Sequence, residues 1–280
     1  MNHITAVHHV DHTTTFSLSE MIPSLILSSL FCLLLLLYIG AVIFTNRRYK
    51  RWPLHRTVCW SIGTLLALIA VMGPVIYSQS DFTTHMLSHL LLGMLAPLLM
   101  VIAAPVTLLL RTLGTPKARR LSVLLKSWPS RIVTHPIFAS IMNIGGLYVL
   151  YTTELFALMH TNGLVEFIVH FHVFFAGYLF TVSIIYFDPI PHRKSFLFRA
   201  IVFILALASH GILAKIIYGY PPVGVPFEQA ELGAQIMYYG GDVIDAVIII
   251  ILCSQWFKAM RPRDVGAKQL DLIKVSETMD

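Results

Sequence analysis

Seven long apolar segments, separated by short polar stretches, dominate the sequence. The hydrocarbon core of a bilayer is about 30 Å thick, and an α-helix needs ~20 residues to cross it. Because backbone in lipid must satisfy its own hydrogen bonds, each segment is predicted to be a transmembrane helix. The predicted fold is therefore an all-α membrane protein, a bundle of seven transmembrane helices. The predicted spans are residues 22–45, 57–77, 84–110, 135–153, 164–186, 200–219 and 232–257.

Polar segments flank this predicted membrane domain, which covers residues 22–257. Residues 1–21 form a His-rich tail that is suited either to scavenging metal ions or simply to solvation. The first 20 residues hold no Lys, Arg or apolar run, unlike a secretory signal. Residues 258–280 form a second polar tail. Between the third and fourth spans, leucines at helical spacing among basic residues indicate a surface helix or an ordinary loop.

Basic residues lie almost entirely on one side of the predicted membrane domain. All but one of the 20 Lys and Arg residues fall in the first, third and fifth loops and the C-terminal tail. The exception is Lys215, within the sixth span. Since cytoplasmic loops carry the excess of Lys and Arg, the N-terminus is predicted outside and the C-terminus in the cytoplasm. The predicted location is a bacterial plasma membrane, with the lipid bilayer as a partner.

Composition supports a membrane protein. Charged residues make up 12% of the chain, against about a quarter in soluble domains. The formal charge of +6 does not indicate a nucleic-acid partner, because the basic residues form short runs between apolar segments rather than a binding stripe. Cys32, Cys59 and Cys253 lack CxxC spacing and are interpreted as small apolar residues.

Ionisable residues inside the predicted spans cluster toward the outer half of the membrane. His85 and His89 are four residues apart on one helix face, as are Glu166 and His170. Such side chains are costly in lipid and are expected to face the bundle interior and one another. A shared outward-facing pocket is therefore predicted. Its polar residues are His85, His89, His170, His210, and a stripe formed by Gln235, Tyr238, Asp242 and Asp245.

This pocket has the residue types of a metal site. Imidazoles suit copper, zinc and iron, and a carboxylate can ligate the ion or orient a ligand histidine. The candidate ligands are His85, His89, His170, His210 and Asp242. A hydrogen-bonded network that joins the helices is an alternative, as is haem held between paired histidines. Lys215 is interpreted as a counter-ion to a nearby Asp or Glu.

Four sequence blocks resemble the CtaG-type assembly factors of caa3-type cytochrome c oxidase. They are HMLSHLLLGMLAPLLMVIAAP (residues 85–105), HPIFASIMNIGGLYVLYTTELFALMH (residues 135–160), VHFHVFFAGYLF (residues 169–180) and LGAQIMYYGGD (residues 232–242). The resemblance implies seven transmembrane helices and a role in maturing a haem–copper oxidase. It implies an oxidase subunit as partner and, by inference, a contribution to the oxidase copper centre.

The hypothesis that follows is a non-enzymatic assembly factor, which binds copper from outside and passes it to the oxidase subunit. A haem-binding electron-transfer protein is one alternative, and two other readings remain open. A seven-helix hydrolase would use the same residue types to hold zinc, whose bound water attacks an ester or amide. A metal-free assembly scaffold would use the polar pocket only for structure.

Overall fold

A computed structural model of the protein describes residues 18–77 and 81–261. Every regular element in these residues is a helix. The predicted His-rich tail up to residue 17 lies outside the described residues, as does the predicted cytoplasmic tail from residue 262 onward. The helices are α1 (Leu18–Arg48), α2 (Leu54–Tyr77), α3 (Phe82–Ile102), α4 (Pro105–Thr112), α5 (Thr115–Lys126), α6 (Trp128–Val133), α7 (Pro136–Thr152), α8 (Leu155–Thr161), α9 (Gly163–Ile184), α10 (Phe196–Gly219) and α11 (Phe227–Met260).

The predicted membrane architecture is confirmed as a set of helical spans. In the described residues, six helices are long and apolar enough to cross a membrane, and α7 with α8 makes a seventh if this bent pair is one span. Large apolar side chains remain exposed on their outer faces, such as Leu36 and Ile250. Hydrocarbon must cover such surfaces, so the protein is a multi-pass membrane protein.

The third span is shorter than the predicted residues 84–110. Helix α3 ends at Ile102, and Ala104 adopts a left-handed conformation with φ 51° and ψ 59° before α4 begins at Pro105. Proline lacks an N–H and disfavours helical backbone at the residue before it. Pro105 therefore separates two helices instead of kinking one.

Asp188, in a distant part of the chain, caps the helix that begins after this break. It lies in the loop between α9 and α10, and its carboxylate accepts hydrogen bonds from the backbone N–H groups of Val106 (3.1 Å) and Thr107 (2.7 Å). The Thr107 hydroxyl also donates to it, at 2.6 Å. The carboxylate thus satisfies backbone donors that the start of a helix leaves without intrahelical partners.

The basic segment between the third and fourth spans is helical, as one of the two readings predicted. It forms α5 and α6, on which Val123, Leu124 and Trp128 are exposed. We call the end of the bundle that carries these helices the basic end, because Arg48 and Arg111 also lie in the last turns of their helices there. Short connections make successive spans antiparallel, so the first turns of α3, α9 and α11 lie at the opposite end.

Helix α3 occupies the middle of the bundle. Its first half packs with α7, α9, α10 and α11 around a buried apolar cluster that includes Phe82, Met86, Tyr151 and Phe156. Further along, α3 contacts α1 and α2 through a second cluster that includes Phe31, Ala67 and Leu92. The polar side chains of α3 therefore face protein rather than lipid.

Candidate functional site

Three histidines from three different helices meet at the end of the bundle opposite the basic end. They are His85 on α3, His160 on α8 and His170 on α9, and we call them the histidine group. The ring centroid of His85 lies 6.3 Å from that of His160 and 6.4 Å from that of His170. Helix α8 brings its histidine to this place because it is turned by 78° from α7.

Hydrogen bonds fix the tautomers of two of these rings. The Nδ1 atom of His160 lies 2.9 Å from the Phe156 carbonyl oxygen, and Nδ1 of His170 lies 3.0 Å from the Glu166 carbonyl oxygen. A carbonyl oxygen only accepts, so Nδ1 carries the proton in each ring. In the neutral imidazole the lone pair is then on Nε2, which is the state that ligates a metal.

Aromatic residues surround the third ring, that of His85. Its Nε2 lies 3.1 Å from the hydroxyl of buried Tyr151. The ring of Phe156 lies 5.0 Å from that of His85 and 4.6 Å from that of His160, between centroids. These neighbours hold the rings in place.

A second polar region, which we call the inner cavity, lies deeper in the bundle. Its polar lining consists of His89, Asn143, Thr181, His210 and Asp245. The centres of water molecules have about 20 Å³ available in it, which is room for about one water. Both ring nitrogens of His89 and Nε2 of His210 are buried without a hydrogen-bond partner. Buried polar groups of this kind normally have a partner, so these nitrogens are expected to bind a water molecule or another small polar species in the cavity.

Glycines make room for the inner histidines. A Cβ atom at Gly241 would lie 2.8 Å from Cε1 of His210, and one at Gly93 would lie 3.3 Å from Cε1 of His89. The first distance is too short for two carbon atoms that are not bonded to each other. His210 can occupy its position only because the facing residue on α11 has no side chain.

Three π-helical turns surround the inner cavity. They are Leu91–Leu95 in α3, Ile141–Gly145 in α7 and Ile236–Gly240 in α11. The first two contribute Gly93, Met94, Asn143 and Ile144 to the lining. A π-turn inserts an extra residue into a helix, shifts which residues face inward, and is frequent at functional sites.

The π-turn in α11 changes the predicted polar stripe. Asp242 is exposed, whereas Asp245 is buried, with 4% of its surface exposed, and lines the inner cavity. Gln235 and Tyr238 instead line a groove with Lys215, whose ammonium lies 5.6 Å from the Tyr238 ring centroid. The structure therefore does not bring Asp242 into the predicted pocket. The contact of Lys215 with Tyr238 is a cation–π interaction, and the interpretation of Lys215 as a counter-ion to an Asp or Glu stays a prediction.

The remaining predicted residues fall into two places rather than one pocket. His85 and His170 belong to the histidine group, and His89 and His210 to the inner cavity. Tyr151 lies between them, since it contacts His85 and its ring is 6.2 Å from that of His89. In residues 18–77 and 81–261, no three His, Cys, Asp or Glu side chains are arranged to hold one metal ion.

Sequence reasoning missed His160. Residues 154–163 read as a loop between spans, which gave this histidine no depth in the membrane. The spacing of Phe156 and His160, four residues apart, is compatible with one helical turn and was the available signal. The bend that returns α8 toward α3 has no counterpart in the hydropathy pattern.

Comparison with known families identifies the chain. Residues 36–259 match the model of the cytochrome c oxidase caa3 assembly factor family, Caa3_CtaG. The chain belongs to this family. The histidine group and the inner cavity both lie within the residues that match the Caa3_CtaG model.

Two relatives of this Caa3_CtaG chain come from mycobacteria. The uncharacterized protein ML1998 of Mycobacterium leprae is 27% identical over 242 residues, which cover 78% of this chain and 37% of the relative. The uncharacterized protein Mb0105 of Mycobacterium bovis is 29% identical over 248 residues, covering 80% and 37% respectively. The chain thus spans little more than a third of the length of these curated relatives. No solved structure matches it.

Proposed function

We propose that this protein assists the assembly of a caa3-type cytochrome c oxidase by binding copper between His85 and either His160 or His170, and by delivering it to an oxidase subunit. Membership of the Caa3_CtaG family supports the assembly role. The observation that carries the copper assignment is the meeting of three imidazoles, two of them with the ligating lone pair on Nε2. Copper is here a cargo, not a resident cofactor.

The chemistry of the histidine group favours a metal that is satisfied by few ligands. Cu(I) is stable with two ligands, and the ring separations offer two histidine pairs that share His85. Cu(I) also accepts thioethers, and Met86 and Met159 belong to the buried cluster around Tyr151 and Phe156. A catalytic zinc site would need three protein ligands and an open position.

A site with few ligands, which releases its ion easily, also suits a delivery role. Each imidazole is held by one hydrogen bond or by aromatic contacts, and His160 is exposed. An ion held by two such rings can be released to a competing site on a partner without breaking a closed ligand shell. The oxidase subunit whose copper centre is being completed supplies that competing site.

Copper binding by purified protein tests this assignment. Wild type, His85→Ala, His160→Ala and His170→Ala are loaded with Cu(I) in detergent under reducing conditions and titrated against a chromogenic chelator. Loss of an outer-shell partner already costs roughly tenfold or more in metal affinity. We therefore expect at least tenfold weaker copper binding in His85→Ala and His170→Ala.

The matched control is His192→Ala, which removes an imidazole that contacts the Lys126 carbonyl oxygen at the basic end. It should bind copper as wild type does. Equal copper affinity in wild type and the His85, His160 and His170 variants contradicts the proposal. A clear preference for zinc over copper contradicts it as well. Oxidase activity in a strain lacking this gene, complemented by each variant, then separates copper delivery from a metal-free scaffold, which would tolerate the histidine substitutions.

A further inference from the structure

A wide groove lies on the outer face of α10 and α11. It is lined by Ala214, Lys215, Tyr218, Ala234, Gln235, Tyr238 and Tyr239, and we call it the Lys215 groove. The centres of water molecules have about 470 Å³ available in it, which lies within the range of about 300–1,000 Å³ typical of small-molecule sites. Neither the histidine group nor the inner cavity includes any of these residues.

The groove presents one cationic side chain on a fixed aromatic surface. Lys215 is exposed, and its Nζ lies 5.6 Å from the centroid of the Tyr238 ring. That ring packs against α10 at Gly211, where a Cβ atom would approach it to 3.4 Å. A lysine near the end of a span extends its ammonium to the membrane interface, where it can meet an anionic group.

The depth of Lys215 matches the level of lipid headgroups. It precedes Gly219, the last residue of α10, by four residues, which places it about 6 Å from the helix end. Tyr218 and Tyr220 are exposed near this level. Tyrosines in such positions form the aromatic belt at the membrane–water interface. The anion that is abundant at this level is the phosphate of a phospholipid.

The remaining lining residues suit the other parts of such a lipid. Gln235 supplies an amide and Tyr239 a hydroxyl, both of which donate hydrogen bonds to phosphate oxygens. The Tyr218 hydroxyl donates to Oε1 of Glu231 at 2.7 Å, which places a carboxylate beside the groove. Ala214 and Ala234 leave a floor of small apolar side chains for an acyl chain.

From this arrangement we propose that the Lys215 groove binds one phospholipid, whose phosphate is held by Lys215. The carboxylate of Glu231 favours a headgroup that also carries an ammonium, such as phosphatidylethanolamine. The site does not depend on copper binding.

Native mass spectrometry tests the site on the full chain. Wild type and Lys215→Met are purified in the same detergent, and phosphatidylethanolamine, phosphatidylglycerol or phosphatidylcholine is added in turn. We expect wild type to retain one phosphatidylethanolamine and Lys215→Met to bind it at least about tenfold more weakly, because a charge-assisted hydrogen bond is lost. Lys258→Met, which removes a lysine at the end of α11 on the basic side, should bind as wild type does.

A second variant protects the test against misfolding. Tyr238→Leu keeps the charge of Lys215 but removes the ring beneath it, so it should weaken lipid binding. Tyr238→Leu and Lys215→Met should both keep the melting temperature of wild type. Equal lipid retention in wild type and Lys215→Met overturns the proposal. Displacement of the lipid by millimolar inorganic phosphate also overturns it. If Lys215→Met keeps its lipid affinity but loses a co-purifying oxidase subunit, the groove binds a protein partner instead.

Discussion

At the scale of single residues, the ability of a histidine to bind a metal depends on which of its two ring nitrogens already makes a hydrogen bond. His160 and His170 each use Nδ1 to donate to a carbonyl oxygen four residues earlier in the same helix. The same local contact therefore prepares two histidines on different helices for the same task. Asp188 shows the opposite use of a polar side chain, because its carboxylate is fully employed in holding the start of α4.

Replacing Asp188 tests this structural role. Asp188→Ala removes the acceptor of two backbone N–H groups and of the Thr107 hydroxyl. Loss of a helix-capping side chain costs about 1–2 kcal/mol, so the melting temperature in detergent should fall clearly. Asp188→Asn keeps an acceptor oxygen and should retain most of the stability.

The control for Asp188 is Glu154→Ala. Glu154 precedes α8, and its side chain makes no capping hydrogen bond. This variant should have the same melting temperature as wild type. If Asp188→Ala also has the melting temperature of wild type, the carboxylate does not stabilise the start of α4.

At the scale of helices, three π-turns decide which side chains face the interior. Each occurs in a span that lines the inner cavity, and each changes the register of the residues that follow it. In α11 the π-turn lies between Gln235, which lines the Lys215 groove, and Asp245, which is buried in the inner cavity. Glycines next to these turns, such as Gly93 and Gly241, then allow histidines to approach the neighbouring backbone.

Adding one methyl group at Gly241 tests this packing. The Cβ of Gly241→Ala would lie 2.8 Å from Cε1 of His210, and overpacking of this kind costs about 1–3 kcal/mol. A lower melting temperature is expected. Because His210→Ala removes the obstructing ring, the double variant Gly241→Ala/His210→Ala should lose less stability than the sum of the two single variants.

Gly40→Ala is the matched control, since a Cβ atom there meets nothing within 4 Å. It should not lower the melting temperature. Additive effects of Gly241→Ala and His210→Ala would contradict the contact between α10 and α11.

The sequence predicted the spans well and their side-chain directions less well. Apolar runs fix where helices cross lipid because lipid excludes unsatisfied backbone, and these runs located α1, α2, α9 and α10 to within a few residues. Hydropathy carries no information on π-turns, so Asp242 and Asp245 were both expected in one stripe with Gln235 and Tyr238, whereas of these four only Asp245 lines the inner cavity. Nor does it report the bend before α8, which brings His160 to His85.

At the scale of the whole molecule, the two ends of the bundle differ in charge and in function. Apart from Lys215, the described lysines and arginines lie at the basic end or in the loops beside it. The histidine group and the Lys215 groove lie toward the opposite end. The positive-inside rule places the basic end in the cytoplasm, so we predict that the histidine group faces the outside.

Cysteine labelling in intact cells checks this orientation. Cys32, Cys59 and Cys253 are first replaced by serine, and a single cysteine is then introduced at Thr153, between α7 and α8, or at Ser130, in α6. A membrane-impermeant maleimide should label Thr153→Cys in intact cells, but Ser130→Cys only after permeabilisation. The reverse pattern would place the histidine group on the cytoplasmic side and contradict uptake of copper from outside.

The bend between α7 and α8 also sets how far an ion must travel to reach the protein. Helix α7 runs from Pro136 to Thr152 and is about 26 Å long, somewhat less than the hydrocarbon thickness of about 30 Å. The chain then turns by 78° into α8, so α8 lies nearly parallel to the membrane surface if α7 crosses the bilayer along its normal. His160 on α8 is exposed, and we predict that an ion arriving from water meets this imidazole first.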